Sequence, residues 1–153
     1  MMIALVDPVN KPLYRSFEVD APAEKVWTLL ADLRSRSGWM LTDDIQTNHI
    51  GDGEGMIRTV HVPDSPPLVQ KVDYLSDETM TVSVSFLNCE DFGLISSSNT
   101  MRVIALDDQR SKCFFTAQFE AMDPKDHDLL LEQTDEKLEM VVGMLRQILE
   151  EAS

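Results

Sequence analysis

The last quarter of the chain carries one uninterrupted helical pattern of apolar residues. Between residues 126 and 152 there is no proline, and Gly143 is the only glycine. Apolar residues recur there at intervals of three and four, which predicts a long amphipathic helix with one buried face. The residues of this apolar stripe are Leu131, Leu138, Val141, Val142, Leu145, Ile148 and Leu149. On the same helix, Lys137 is expected on the outer face, and His127, at the helix start, is expected to be exposed.

The middle of the chain alternates between apolar and polar residues, which is typical of strands with one covered face. Seven strands are predicted, over residues 13–20, 45–50, 56–62, 68–75, 79–87, 94–106 and 112–122. Pro22 marks the start of a first short helix after strand one, and a second one is predicted within residues 34–42. Trp27, one residue off the stripe of the first helix, is interpreted as a packing residue.

This order of elements predicts an α+β fold in which the terminal helix covers one face of an antiparallel sheet. Short turns between successive strands favour antiparallel hairpins. The apolar face of the sheet and that of the long helix are expected to pack against each other, because each must be buried. A helix laid across a curved sheet readily encloses a cavity, and cavities bind small molecules. We expect a single domain over residues 1–153, with residues 1–12 as a lead-in.

Composition narrows the possible partners. The 153 residues include 27 acidic and 13 basic ones, for a net charge of −14. A surface this negative disfavours nucleic acids and anionic membranes. No apolar segment is long enough for membrane insertion. Cys89 and Cys113 fit no ligand spacing and are interpreted as reduced thiols, which predicts a cytoplasmic protein.

No cofactor or metal is predicted. The three histidines, His49, His61 and His127, have no neighbours at ligand spacing. The glycines of residues 51–55 do not precede a helix, so they form a turn between strands and no phosphate loop.

Several motifs resemble a known superfamily. The stretch from Val19 to Trp27, followed by Leu29 to Leu33, is similar to the opening of START-like proteins of the SRPBCC superfamily, in the polyketide cyclase/dehydrase or lipid transport branch. Residues 53–60 resemble the G-x-G-x-x-R strand of this branch, and residues 100–103 resemble its sixth strand. Trp39 lies where the branch often has a tryptophan.

The resemblance implies a helix-grip fold, in which a seven-stranded antiparallel sheet wraps around the C-terminal helix with a cavity between them. It covers the chain from Leu13 onward. Two positions depart from the pattern: Gln70 stands where relatives often have glutamate, and Ser97 where an aromatic residue is frequent. Chemistry that depends on that acid or that ring is therefore not implied for this chain.

Polar residues in register with the apolar face of the strands are the candidates for orienting a ligand. A polar group on such a face needs partners, which a ligand or an internal network can supply. Arg58 is the leading candidate. It is expected to engage a ligand carbonyl or carboxylate, to form a network with Gln70, or to reach water from an edge position. The predicted cavity lining consists of Trp39, Arg58, Gln70, Tyr74, Val84, Asn99, Met101, Phe115, Leu138 and Val142.

Three functions fit this pattern. The first is binding of a small hydrophobic ligand, such as a lipid, a polyketide or an isoprenoid-like molecule, by a monomer or homodimer. The second is a polyketide cyclase/dehydratase-type enzyme acting on such a molecule. The third is a protein–protein interaction module. The predicted lining has no carboxylate or histidine to move protons, which favours binding, and no catalytic residue is assigned.

Overall fold

The computed structural model describes residues 11–33 and 45–151. The strands are β1 (Leu13–Val19), β2 (Gln46–Ile50), β3 (Ile57–His61), β4 (Leu68–Ser76), β5 (Thr81–Phe86), β6 (Leu94–Ala105) and β7 (Ser111–Ala121). The helices are α1 (Ala23–Ala31) and α2 (His127–Glu151), and short 3₁₀ turns span Cys89–Phe92 and Pro124–Asp126. The lead-in over residues 1–10 and the second short helix expected within residues 34–42 lie outside the described residues.

All seven strands form one antiparallel sheet in the order β1-β7-β6-β5-β4-β3-β2. Strands β2 to β7 follow one another as hairpins, while β1 returns to pair with β7 over Leu13–Val19. The segment that contains α1 therefore connects the two edges of the sheet. This arrangement confirms the predicted α+β helix-grip fold with its long C-terminal helix.

Two apolar clusters lie in the interior formed by the described residues. The main cluster joins α1, the sheet and the C-terminal half of α2, and its buried members are Val19, Ala21, Ala23, Val26, Trp27, Leu30, Val82, Val103, Cys113, Leu145 and Leu149. The second cluster consists of Cys89, Leu94 and Phe119, with Phe86, Phe92, Leu130 and Leu131 packed against it. Helix α2 thus contacts the main cluster with its C-terminal half and the second cluster with its N-terminal half.

Two polar contacts fix α1 to the rest of the fold. The Trp27 indole Nε1 donates a hydrogen bond of 2.8 Å to Oδ1 of Asp77, in the turn between β4 and β5. The buried Ser111 hydroxyl donates one of 3.0 Å to the Ala21 carbonyl. Trp27 is buried in the main cluster, in agreement with its interpretation as a packing residue.

His127 is buried, not exposed as its position at the start of α2 suggested. Its ring lies 4.9 Å from the Phe119 ring, centroid to centroid. Its Nε2 is 3.2 Å from the Lys11 carbonyl oxygen. The chain ahead of β1 and the side chain of Phe119 therefore cover the first turn of the helix, which the local sequence does not reveal.

Two register shifts interrupt the regular pairing of the strands. In β4, Val72 pairs with Val84 and Tyr74 pairs with Ser83, so Asp73 is the extra residue of a bulge. In β6, the pairing with β7 skips Ile95. A bulge moves all following side chains to the opposite face of the sheet from the one that simple alternation predicts.

Among residues 11–33 and 45–151, no helix combines the length and the apolar character needed to cross a bilayer.

Candidate functional site

A cavity of about 330 Å³ lies between the N-terminal half of α2 and the inner face of the sheet. Its described lining comes from β4 to β7, the Cys89–Phe92 turn and α2. The lining residues are Leu68, Phe86, Phe92, Leu94, Ser97, Asn99, Ala117, Phe119, Leu130, Gln133, Thr134 and Lys137. This volume is at the lower end of the range for pockets that bind small molecules.

The side chains of α2 explain why the cavity is at this end of the helix. In the C-terminal half, Leu145 and Leu149 fill the space against the sheet and are buried in the main cluster. In the N-terminal half, polar residues interrupt the stripe, and Gln133, Thr134 and Lys137 border the cavity together with Leu130. A polar side chain that is buried against an apolar surface loses hydrogen bonds to water without replacing them, which disfavours close packing of these residues against the sheet. The helix therefore leaves a gap here.

The cavity wall is mainly apolar, with a few polar groups. The hydroxyl of Thr134 donates a hydrogen bond of 2.8 Å to the Leu130 carbonyl of its own helix. The side chains of Asn99, Gln133 and Lys137 make no hydrogen bond or ion pair to any other residue that the structure describes. An apolar wall with a few unengaged polar groups is suited to a ligand with one polar end.

Arg58 lies beside this wall and is held by Gln70. Its Nε and Nη2 donate to Oε1 of Gln70 at 3.1 and 2.6 Å, and its Nη1 lies 3.5 Å from the Leu33 carbonyl. Burial lowers the pKa of the Arg58 guanidinium. The internal network proposed as one alternative for Arg58 is thus present in the structure.

One transverse row of side chains connects this network to the cavity. Across the sheet, His49 pairs with Arg58, Arg58 with Gln70, and Gln70 with Phe86, which lines the cavity. Paired residues of neighbouring strands point to the same face. Gln70 is therefore one strand away from the lining residue Phe86, and Arg58 is two strands away from it.

The other predicted site residues are distributed over the inner face of the protein. Asn99 lines the cavity. Val84 and Met101 pack against the main cluster, Leu138 and Val142 are buried on α2, and Phe115 is half-buried on β7. Trp39 lies outside the described residues. Among the described lining residues only Asn99 had been predicted, and the wider lining set remains a prediction.

Tyr74 is a correction. Simple alternation from Val72 places it on the inner face, but the bulge at Asp73 turns it outward. Its side chain is 43% exposed, and it lies in a groove on the outer face beside Arg102 and Phe114. Leu75 takes the inward position instead and packs against the main cluster.

Lys137 is a second correction, because it borders the cavity instead of lying on the outer face. It is also exposed to solvent, so it lies at the rim. Gln133, Thr134, Leu130 and Phe92 were likewise not predicted as lining residues. Thr134 had a detectable signal, since it occupies a stripe position four residues before Leu138.

The two cysteines are buried, Cys113 in the main cluster and Cys89 in the second cluster beside the cavity. Burial raises the pKa of the Cys113 thiol to about 12, and burial also raises the pKa of Cys89. Both are protonated, unreactive thiols near neutral pH. Within the described residues, no group of three or more histidine, cysteine, aspartate or glutamate side chains is arranged to hold a metal ion.

Solved structures with the same fold cover nearly the whole chain. Norcoclaurine synthase from Thalictrum flavum, in complex with dopamine and hydroxybenzaldehyde, superposes with a TM-score of 0.76 at 17% identity, covering 100% of this chain and 97% of its own. Zhui aromatase/cyclase from Streptomyces sp. R1128 gives 0.74 at 16% identity, with 92% and 93% covered. A START superfamily protein from Mycobacterium smegmatis gives 0.74 at 13% identity, with 93% and 99% covered. At these identities the likeness establishes the fold alone.

Sequence comparison is more specific than these superpositions. No curated protein matches the chain significantly. The family model described as polyketide cyclase/dehydrase and lipid transport matches residues 13–151, which is nearly all of the sequence and includes every element of the cavity. The chain therefore belongs to the polyketide cyclase/dehydrase and lipid transport family.

Proposed function

We propose that this protein binds a small hydrophobic ligand in the cavity between α2 and the sheet. The observation that carries the proposal is the cavity of about 330 Å³ walled by apolar side chains such as Phe86, Phe119 and Leu130. Burial of apolar ligand surface contributes roughly 25 cal/mol per Å² before the costs of association. Family membership supports the same class of ligand.

The architecture allows such a site to be occupied without dismantling the core. Leu145 and Leu149 hold the C-terminal half of α2 in the main cluster, whereas the cavity lies beside the second cluster around Phe119. A ligand therefore adds apolar contacts to a part of the interior that side chains leave unfilled. Binding to the folded state alone raises its stability by mass action.

Two measurements test the proposal. Native mass spectrometry of the purified protein identifies any co-purifying apolar molecule. A thermal-shift screen of fatty acids, aromatic polyketide-like compounds and isoprenoids then measures binding, with a stabilisation of about 2.7 kcal/mol expected at a hundredfold excess over Kd. Without any co-purifying ligand or melting shift across these classes, the proposal fails.

A matched pair of variants locates the binding. Ala117 lines the cavity, and Ala117→Leu fills part of it. Ala105 is exposed on β6, so Ala105→Leu adds the same atoms outside the cavity. We expect the first variant to lose the melting shift and the second to keep it. Thr134→Leu fills the cavity from the side of α2. It replaces Ala117→Leu in the test if that variant does not fold.

A further inference from the structure

Lys137 places an unneutralised positive charge at the rim of the cavity. The helix that carries it is strongly acidic, with Asp128, Glu132, Asp135, Glu136, Glu139, Glu150 and Glu151. Salt bridges within a helix form between residues three or four positions apart. Around Lys137 these positions hold Gln133, Thr134, Met140 and Val141, none of which is acidic.

The tertiary structure does not neutralise this charge either. The ion pairs among the described residues are Arg15 with Asp135, at 2.7 Å, and Arg110 with Asp107, at 3.0 Å. The first ion pair engages Asp135, two positions before Lys137, with Arg15 of β1. The Lys137 ammonium group is therefore available to a partner that enters the cavity.

The polar groups of the lining are suited to a ligand that has one anionic end. Asn99 and Gln133 contribute unengaged amide groups to the same lining, and an amide N–H₂ donates to carboxylate oxygens. The rest of the wall is apolar, and Leu94, Phe86 and Phe119 line it. A volume of about 330 Å³, at ~30 Å³ for each small group of atoms such as a water molecule, has room for about eleven non-hydrogen atoms.

Resting on the proposed function, we propose that the ligand is an amphipathic monocarboxylate of about eleven non-hydrogen atoms. Its carboxylate pairs with the Lys137 ammonium group and accepts hydrogen bonds from Asn99 and Gln133. Its apolar part lies against the second cluster. Lys137 is thus the residue that distinguishes an anionic ligand from a neutral one of the same shape.

The test compares ligands of one chain length with different end groups. Decanoate, decanol, decylamine and decyl phosphate are titrated by calorimetry into the wild type, Lys137→Met, Lys137→Arg and Lys125→Met. Lys125 is exposed in the turn before α2 and is outside the cavity lining, so its variant controls for overall charge. Melting temperatures of the ligand-free variants confirm that each is folded.

We expect the wild type to bind decanoate at least about fivefold more tightly than decanol, because a charge-assisted contact adds roughly 1 kcal/mol at a partly exposed site. Lys137→Met removes this preference, Lys137→Arg retains it, and Lys125→Met leaves it unchanged. Added salt reduces the preference by screening.

The possible contrary results are distinct. Equal affinity for decanoate and decanol, or a preference that survives in Lys137→Met, overturns the assignment of Lys137 and leaves hydrophobic binding intact. Tighter binding of decyl phosphate than of decanoate would show that the anionic group of the ligand is a phosphate and not a carboxylate. If none of the four compounds binds, the monocarboxylate proposal is overturned, and the proposed function fails as well only if the aromatic and isoprenoid compounds also produce no melting shift.

Discussion

The Arg58 guanidinium donates two hydrogen bonds to a single atom, Oε1 of Gln70, at 3.1 and 2.6 Å across the β3–β4 pair. Both side chains lie on the inner face of the sheet, and Gln70 is buried. Among the described residues, Gln70 accepts two of the three hydrogen bonds of this partly buried cation, and the third goes to the Leu33 carbonyl at 3.5 Å, so the Gln70 acceptor is important for folding. The residue that stands where relatives often have glutamate is thus the partner of the arginine.

Removing this acceptor should destabilise the protein. Gln70→Met keeps the length of the side chain but leaves the guanidinium without its main partner, at a cost of roughly 1.5–3 kcal/mol. Gln118→Met makes the same exchange on the exposed face of β7 and should cost less than about 0.5 kcal/mol. Urea unfolding measures both. Equal free energies of unfolding for the two variants would show that the contact contributes nothing.

Truncation of Leu145 should show how strongly α2 depends on its C-terminal half. The side chain is 0% exposed in the main cluster, so Leu145→Ala should cost about 2–5 kcal/mol. Leu129, on the same helix, is 55% exposed, and Leu129→Ala should change the free energy of unfolding by less than about 0.5 kcal/mol. Comparable losses from the two variants would mean that the buried face of the helix is assigned wrongly.

The contact between Trp27 and Asp77 should anchor α1 to the β4–β5 turn. Asp77→Ala leaves the indole N–H of a buried tryptophan without its acceptor, at a cost of about 1 kcal/mol. Asp77→Asn retains an acceptor oxygen and should recover most of that stability. Chemical denaturation followed by tryptophan fluorescence checks both variants. If the alanine and asparagine variants are equally stable, the hydrogen bond is not stabilising.

The buried Cys113 thiol should make stability fall at alkaline pH. In the folded protein its pKa is raised from 9.0 to about 12 by burial. Between these values the unfolded chain loses the thiol proton while the folded one keeps it, so unfolding is favoured as the pH rises. The contribution is up to about 1.4 kcal/mol per pH unit.

Variants at Cys113 and at its cross-strand neighbour test this pH dependence. The free energy of unfolding is measured between pH 8 and 11 for the wild type and for Cys113→Ala, which should decline less steeply. Val103 pairs with Cys113 and is also buried. Val103→Ala should lower stability while preserving the wild-type pH slope. If the free energy of unfolding of Cys113→Ala declines with pH as steeply as that of the wild type, other groups cause the loss of stability at alkaline pH.

The periodic parts of the fold could be predicted from the sequence. Helix α2 and all seven strands follow from hydrophobic spacing, since packing against a single partner face imposes that spacing. The β5 start was predicted two residues early, because Met80 adopts a positive φ of 48° that only its surroundings specify. The bulge at Asp73 was hidden because Tyr74 is itself aromatic and fits an alternating pattern equally well.

The cavity was harder to predict than the elements around it. A cavity results from volumes that do not fill the space between elements, and the sequence of one element does not contain those volumes. The sequence predicts a cavity between the helix and the sheet but not its position along α2, where Thr134 interrupts the stripe and Lys137 borders the gap. The wall beside β6 was partly predicted, since Asn99 is polar at an inward-facing position.

The separation of the two apolar clusters has a consequence for how such chains diverge. The side chains that keep α2 in place, Leu145 and Leu149, lie at one end of the helix, and those that surround the cavity lie at the other. Substitutions around Leu130 or Ala117 can therefore alter which molecule is admitted while the attachment of the helix persists. A scaffold built in this way permits changes of ligand at little risk to folding.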